Sequence, residues 1–500
     1  MKFWRLPKRA NNCQPETSAV EAQEIISGSI EQKIAQIQKA VSHTEDMKLQ
    51  YFNRGGQSCV FMYLEPLVNQ EMIQSNMVKP LLDTDSLNMD QISASTEVKH
   101  SSSLSHIIKS LLEGFCIVIR EHHDEAYLIS AGQWQGRSIE EPKNEQILKG
   151  SHDGFIESLN TNLYLIRRRI KSPRLKVKFY TLGRITNTRI AMVYMEGIAE
   201  PNIIAECEKR ISSIELDYLY SAANLDEMIE EHPLSPFPQT LQSGRPDRTV
   251  SYLMEGKINL IVDGSPVVLI LPITFFSFYQ SADDYYHRWI AGSFFRLIRL
   301  ISFILAISLP AFYIAVVTYH SDVLPFGILY SIKVSLTYVP FPPLMEAITM
   351  QFILELLKEA AIRLPSPISQ TIGIVGGLVI GTAVVEANLV SNTMIVVIAL
   401  TAIASFATPL SEFGTSLRIL GFPTMLAAAL FGFFGIAMMM MVIFIHLCKI
   451  ETLGVPFFAP FGPFRDKNKG KDLLLRLPIW THSNGQVQKQ ASFFKRWKRT

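Results

Sequence analysis

Read by hydrophobic and polar position, the chain changes character near Arg299. Before it, apolar residues come in short strings or alternate among charges; after it, long stretches carry almost none. Residues 300–319 (LISFILAISLPAFYIAVVTY) hold no formal charge, and about 20 such residues is what a helix needs to cross the hydrocarbon layer. Three later segments read the same way: 371–390, marked by Glu386, then 393–409 and 422–447. Two more are ambiguous, 324–339 with Lys333 in its middle and 344–362 with Glu346, Glu355, Lys358 and Glu359. Four spans are clear and the ambiguous pair would make six, so either count returns the chain to the side it left.

The polar half reads as one unit built twice. Leu112-Glu113-Gly114 precedes FCIVI, a polar turn and AYLIS; Met254-Glu255-Gly256 precedes INLIV, the turn Asp263-Gly264-Ser265 and VVLILP. Each is the pattern of a helix stopped by glycine and followed by a β-hairpin. Upstream, residues 61–73 parallel residues 192–204, both a strand leading into a helix. The fold class expected is a duplicated α/β (α+β) soluble N-terminal domain followed by an all-α polytopic transmembrane bundle. Its segments are a tail (1–32), subdomain 1 (33–140), subdomain 2 (150–290), the helical domain (296–450) and a basic C-terminal tail (451–500), with the join of the repeats in 136–150.

Charge changes this picture mainly by its placement. The net charge is +2, but residues 465–500 hold ten Lys or Arg against two Asp, and Arg288, Arg296 and Arg299 flank the first span with Tyr285, Tyr286 and Trp289. A basic, aromatic collar marks the cytoplasmic interface, so the N-terminal half and the C-terminus are expected in the cytosol. MKFWRLPKRANN lacks an apolar run behind its basic residues, so no cleaved signal peptide is expected. The five cysteines have no CxxC spacing and read as reduced, mostly buried thiols. Arg167, Arg168, Arg169 and Lys171 make a basic face for solvent, a neighbouring subunit, anionic lipid or nucleic acid, with no nucleic-acid motif nearby.

Signatures of catalysis are missing from the sequence. There is no P-loop, GxSxG, HExxH or dinucleotide fingerprint, and His122-His123-Asp124 reads as a solvated turn. Neither enzyme activity nor a metal or other cofactor is expected. In 344–362, Glu355 with Lys358 or Glu359, and Glu359 with Arg363, stand at helical spacing, so mutual pairing and a place beside a water-filled path both remain open. In 371–390, Gly373, Gly377 and Gly381 form GxxxGxxxG on one helix face, while Ile372, Val375, Val379, Thr382 and Glu386 lie on the opposite one. The glycines suit close helix packing; the aliphatic stripe ending in an acid suits either a hydrophobic gate with a cation-attracting mouth or simple packing.

Longer blocks carry a resemblance. SHDGFIESLNTNLYLIRRRIKSPRLKV (151–177), SPFPQ (235–239), RPDR (245–248), LMEGKINLIVDGSPVVLILP (253–272), DDYYHRW (283–289), VPFP (339–342) and RLPSPISQTIGIVGGLVIGTAVVEANLVS (363–391) resemble signature blocks of the A subunit of GerA-type spore germinant receptors. The likeness covers about residues 50–465 and departs locally at 408–422 and in the tail beyond Arg465. It implies a multi-pass protein of the spore inner membrane acting in nutrient-triggered germination. It further implies a transporter-like, nutrient-binding B subunit and a lipoprotein C subunit as partners, and a homo-oligomer, a pentamer in the family, forming a cation channel in the lipid. The rival function is a membrane-anchored signalling scaffold that does not conduct.

Overall fold

The computed structural model describes residues 25–54, 57–79, 98–121, 123–132, 145, 149–459, 473 and 475–478. Most of the N-terminal tail, most of the repeat join, His122 and most of the basic tail therefore lie outside the described residues. Contact density divides the chain into two units: 1–138 with 158–180 and 191–198, and 139–157 with 181–190 and 199–500.

In the first unit, strands β1 (Met47–Arg54), β2 (Gln57–Leu64), β3 (Val98–Ser101), β4 (Phe115–Arg120) and β5 (Ala126–Ser130) form an antiparallel sheet of order β1-β2-β4-β5-β3. The period of two sorts its side chains between two cores. Val60, Met62, Ile117 and Ile119 pack with helices α1 (Ile30–Ala40) and α3 (Leu104–Leu112). Cys59, Phe61, Cys116 and Val118 face Ile73 of α2 (Gln70–Ile73) and Met77. Helix α1 starts at a reciprocal cap, Ser29 with Gln32, which satisfies two backbone N–H groups that a helix start leaves open.

Strands β6 (Leu175–Leu182), β7 (Thr188–Met195), β8 (Leu241–Ser243), β9 (Ile258–Val262) and β10 (Val268–Leu271) form a second sheet of order β6-β7-β9-β10-β8, the same order shifted by five strands. The helices recur as well. Helix α3 ends at Gly114 with φ +90, and α7 (Pro246–Met254) ends at Gly256 with φ +85. The repeated Glu-Gly is thus a left-handed stop, used twice, at a backbone conformation that side chains with a Cβ resist. The contact units do not follow the repeat, however. Helix α4 (Leu159–Arg169) and the first six residues of β6 group with the first unit, so the contact boundary differs from a cut between 140 and 150.

In the second unit, α5 (Pro201–Ser213), α6 (Ala222–Ile229) and α7 accompany the second sheet, and short helices α8 (Phe275–Tyr279) and α9 (Asp283–Tyr286) lead out of it. The helical part follows: α10 (Trp289–Thr318), α11 (Phe326–Thr337), α12 (Pro343–Arg363), α13 (Ser366–Glu386), α14 (Asn392–Phe406) and α15 (Ser411–Lys449), then a hairpin of β11 (Glu451–Thr452) and β12 (Val455–Pro456). Among the described residues, α10 and α15 are long and apolar enough to cross a membrane; α11 and α14 are shorter apolar helices.

Helix α15 is not one rod. At Gly432 the backbone turns to φ 61, ψ −138, outside helical space. The backbone of Ala427 lies against Gly435, and Phe237 packs near both Phe413 (6.1 Å between ring centroids) and His446 (6.2 Å). In a straight helix Phe413 and His446 would stand about 50 Å apart. The apolar stretch 422–447, which reads as one span in the sequence, is therefore divided by a reversal between two antiparallel limbs.

Candidate functional site

Three features of the second unit bear on function, and the first is a core shared by the sheet half and the helices. Phe237, Leu241, Ile270, Phe275, Phe276 and Phe278 pack with Ile307 of α10, Ala404 of α14, Phe413, Leu417 and Leu447 of α15, and Phe457 beyond it. Phe413 is its hub: Phe278 stacks on it at 5.4 Å and 16°, Phe303 at 5.7 Å and 14°, and Phe275 meets it edge-on at 5.6 Å. The backbone N–H of Phe275 donates to the Phe457 carbonyl (2.8 Å). Ring pairs of this kind add about 0.5–1.5 kcal/mol each beyond area burial.

Below this core, Asp284 fastens α9 to the start of α10. Its carboxylate accepts from Arg296 Nε (3.0 Å) and from both Nη atoms of Arg299 (2.9 and 2.6 Å), and Asp284 and Arg296 are fully buried. The Arg296 guanidinium lies over the Tyr285 ring at 5.3 Å, and Arg476 approaches the same ring at 5.4 Å while donating to the carbonyls of His287 and Tyr285. The aromatic and basic residues that the sequence groups as a collar thus form a bonded joint. A second buried cluster stands nearby in the chain: Arg248 Nη1 donates to Glu145 (2.6 Å), and Arg245 grips Asp247 through Nε and Nη2 (3.1 and 2.7 Å). On α6, Asp226 accepts from Thr240 (2.5 Å) and Gln242 (3.1 Å). Burial pushes the neighbouring Glu230 carboxyl up to about 7, with Asp226 and Glu412 adding in the same direction.

The second feature is a polar line along α12. Glu346 is fully buried and accepts from the backbone N–H of Ser391 at the start of α14 (2.8 Å). About two and a half turns on, Glu355 Oε1 accepts from Gln351 Nε2 (3.2 Å) and stands 2.9 Å from Arg418 Nε and 3.8 Å from Lys358 Nζ. Lys358 also reaches Ser405 Oγ (3.4 Å) and lies over the Phe406 ring (4.4 Å). Glu359 pairs instead with Arg363 on an exposed surface (2.5 Å). Of the four charged candidates, then, Glu346, Glu355 and Lys358 face protein and Glu359 does not. Arg418, the partner that sequence reasoning missed, sits 63 positions from Glu355 and carries no local spacing signal.

The third is α13, which packs chiefly on α12. A methyl group added at Gly376 would come within 2.9 Å of Leu357, but one added at Gly373, Gly377 or Gly381 would meet no atom within 4 Å. Among the described residues the glycine stripe therefore makes no close helix contact. On the other face Val379, Thr382 and Glu386 are exposed; the side chains of Ile372 and Val375 lie outside the described residues.

Elsewhere, Cys59, Cys116 and Cys207 are buried free thiols and Cys448 is exposed, while Cys13 is outside the described residues. Burial pushes the Cys59 thiol up to about 11 and Cys207 up to about 12, so neither supplies a thiolate. Arg167 is not part of a basic face: it is buried, with Nε and Nη2 on the two oxygens of Asp46 (2.6 and 2.7 Å). Among the described residues no group of His, Cys, Asp and Glu is arranged to hold a metal ion.

A sheet-bearing half whose core runs into apolar helices, two of them long enough to cross a membrane, with charges buried along another, defines a two-part α/β and helical protein. The family model described as Bacillus/Clostridium GerA spore germination protein matches residues 35–487. Relatives include spore germination protein A1 of Bacillus subtilis (strain 168), 37% identical over 84% of this chain and 87% of that one, and spore germination protein KA of the same organism, 36% identical over 91% and 86%. A third, the uncharacterized membrane protein YfkQ of that strain, is 35% identical over 93% of this chain and 94% of its own length. The chain belongs to the GerA family of spore germination proteins, the germinant receptor A subunits.

Proposed function

We propose that this chain is the A subunit of a nutrient germinant receptor in the spore inner membrane, and that copies of it assemble through α13 into a cation channel opened by nutrient. The observation that carries the reading is the state of α13 in a single chain: no described residue comes within 4 Å of a methyl group added along its glycine stripe, and its Val379–Thr382–Glu386 face is exposed. Close packing of a neighbouring copy on the glycines would turn the other face towards a common axis. Val375 and Val379 would then form the dewetted constriction, with Ile372 and Thr382 beside them, and Glu386 would draw cations to the mouth.

The membrane path belongs to the same proposal. Helix α10 leaves the cytoplasmic side, α12 returns, α13 and α14 go out and back, and the limbs of α15 do the same, while α11 stays at the outer side. This reading is supported by the way helix ends sort: Tyr313, Ala347, Met394 and Met425 cluster together, whereas Ala404 and Phe413 join the sheet half. A transporter-like B subunit and a lipoprotein C subunit are the partners proposed from the family.

Current across a planar bilayer from purified protein tests the channel. A reproducible cation current whose selectivity falls in Glu386→Gln supports it; no current in any state would favour an anchored scaffold. Val379→Ala, by widening the ring, should raise nutrient-independent germination at unchanged subunit level. Lower abundance with no such gain would mean that Val379 only packs.

A further inference from the structure

The pore proposal leaves open how the sheet half reaches α13, none of whose described residues belongs to the shared core. Phe413 and Leu417 of α15 lie in that core, and Arg418 follows Leu417 directly. Its guanidinium points the other way along the first limb of α15, to Glu355 on α12 at 2.9 Å. Helix α12 in turn is the main support of α13 within the chain. Core, Phe413–Leu417, Arg418, Glu355, α12 and α13 thus form a continuous series with one ionic link in it.

We infer that Glu355 and Arg418 are positioning residues: their ion pair is the joint through which the sheet half holds α13 in its resting position. The inference rests on the reading of α13 as the pore helix. Several facts suit a joint better than a static brace. Both side chains keep some exposure, 32% for Glu355 and 16% for Arg418, so separation does not strand a charge in a sealed core. Alternative partners also stand ready on each side. Gln351 and Lys358 already approach the same Glu355 oxygen, and Thr415 accepts from Arg418 Nη2 at 2.9 Å. Two arrangements of one charge set, close in free energy, are what a bistable contact requires. The Asp284 pair, fully buried and saturated by two arginines, has no such freedom and anchors the sheet half to α10.

The test uses spores carrying the complete receptor, with no nutrient added, and two readouts. One is the rate of spontaneous germination. The other is the rate at which Thr382→Cys on α13, in a Cys448→Ser background, reacts with a charged thiol reagent. Glu355→Gln and Arg418→Gln should each raise both rates about tenfold or more at normal subunit abundance, and the exchanged pair Glu355→Lys with Arg418→Glu should bring them back to within about threefold of the parent. Parental rates in both single variants, or failure of the exchanged pair to restore them at equal abundance, would overturn the joint. Should a single variant fail to accumulate, Arg418→Lys, which keeps the charge but loses the planar fork, takes its place; parental rates in it together with an unrestored exchanged pair count against the inference. A changed labelling rate in a receptor that carries no current in bilayers would leave the joint standing and remove the channel reading, so the two can fail separately.

Discussion

Replacing Asp284 by asparagine should unfasten α9 from the start of α10. The substitution keeps the shape but removes the charge that three guanidinium nitrogens share at 2.6–3.0 Å. The incoming amide would also turn an N–H towards one of the arginines. Arg296 is fully buried, so its charge cannot recover water when its partner is lost. Breaking a buried pair from one side costs about 3–5 kcal/mol, against about 0–1 kcal/mol for an exposed one. At about 2–4 °C per kcal/mol for folding units of 150–250 residues, the apparent melting temperature in detergent should fall by roughly 6–20 °C. The control is Arg363→Gln, which removes the exposed pair with Glu359 and should leave the melting temperature within about 2 °C. A melting curve of Asp284→Asn that overlays the parent, with the protein still assembled, would refute the argument that this carboxylate is the fastening.

Arg167→Gln should destabilise the first unit by about 3–5 kcal/mol, because Asp46 is left buried without its guanidinium; denaturant unfolding followed by tryptophan-independent circular dichroism measures it. Gly432→Ala should cost about 1–3 kcal/mol from backbone strain, more where the new methyl meets the His320 ring 2.7 Å away, and should show as lower yield and melting temperature. Glu230 gives a pH effect of defined sign. Its carboxyl is raised from 4.5 to about 7, so the folded chain holds a proton that the unfolded chain releases in that window, and stability is full below pH 4.5 and falls as pH rises towards 7. Glu230→Gln should flatten the dependence of melting temperature between pH 5 and 8; an unchanged slope would assign it to other groups.

What could be read from the sequence was what depends on neighbours in the chain. Glu113-Gly114 and Glu255-Gly256 announced two helix stops because a left-handed glycine is a local requirement, and the strands that follow are short, almost unbroken apolar runs. The polarity change near Arg299 is likewise a local sum. The partner of Arg167 was not legible, since Asp46 is 121 positions away and a run of arginines at a helix end looks like solvated charge. The division of 422–447 was hidden for a different reason. Glycine occurs throughout apolar helices, and only the backbone angles at Gly432 distinguish a reversal from close packing.

The candidate residues divide along the same line. Glu346, Glu355 and Lys358 were recognisable because charge among apolar residues has to be covered, and covering them within one chain is what α14 and α15 do. Gly373, Gly377 and Gly381 obey a different logic. Their spacing calls for a close neighbour, yet among the described residues an added Cβ at any of them meets nothing within 4 Å, while Gly376, outside that four-residue spacing, is the one pressed against Leu357. A spacing rule identifies a face fit for contact without saying whose surface fills it. With α12 held through Gly376 and the stripe and the Val379, Thr382 and Glu386 face uncovered among the described residues, α13 has the surface that the proposed assembly would need.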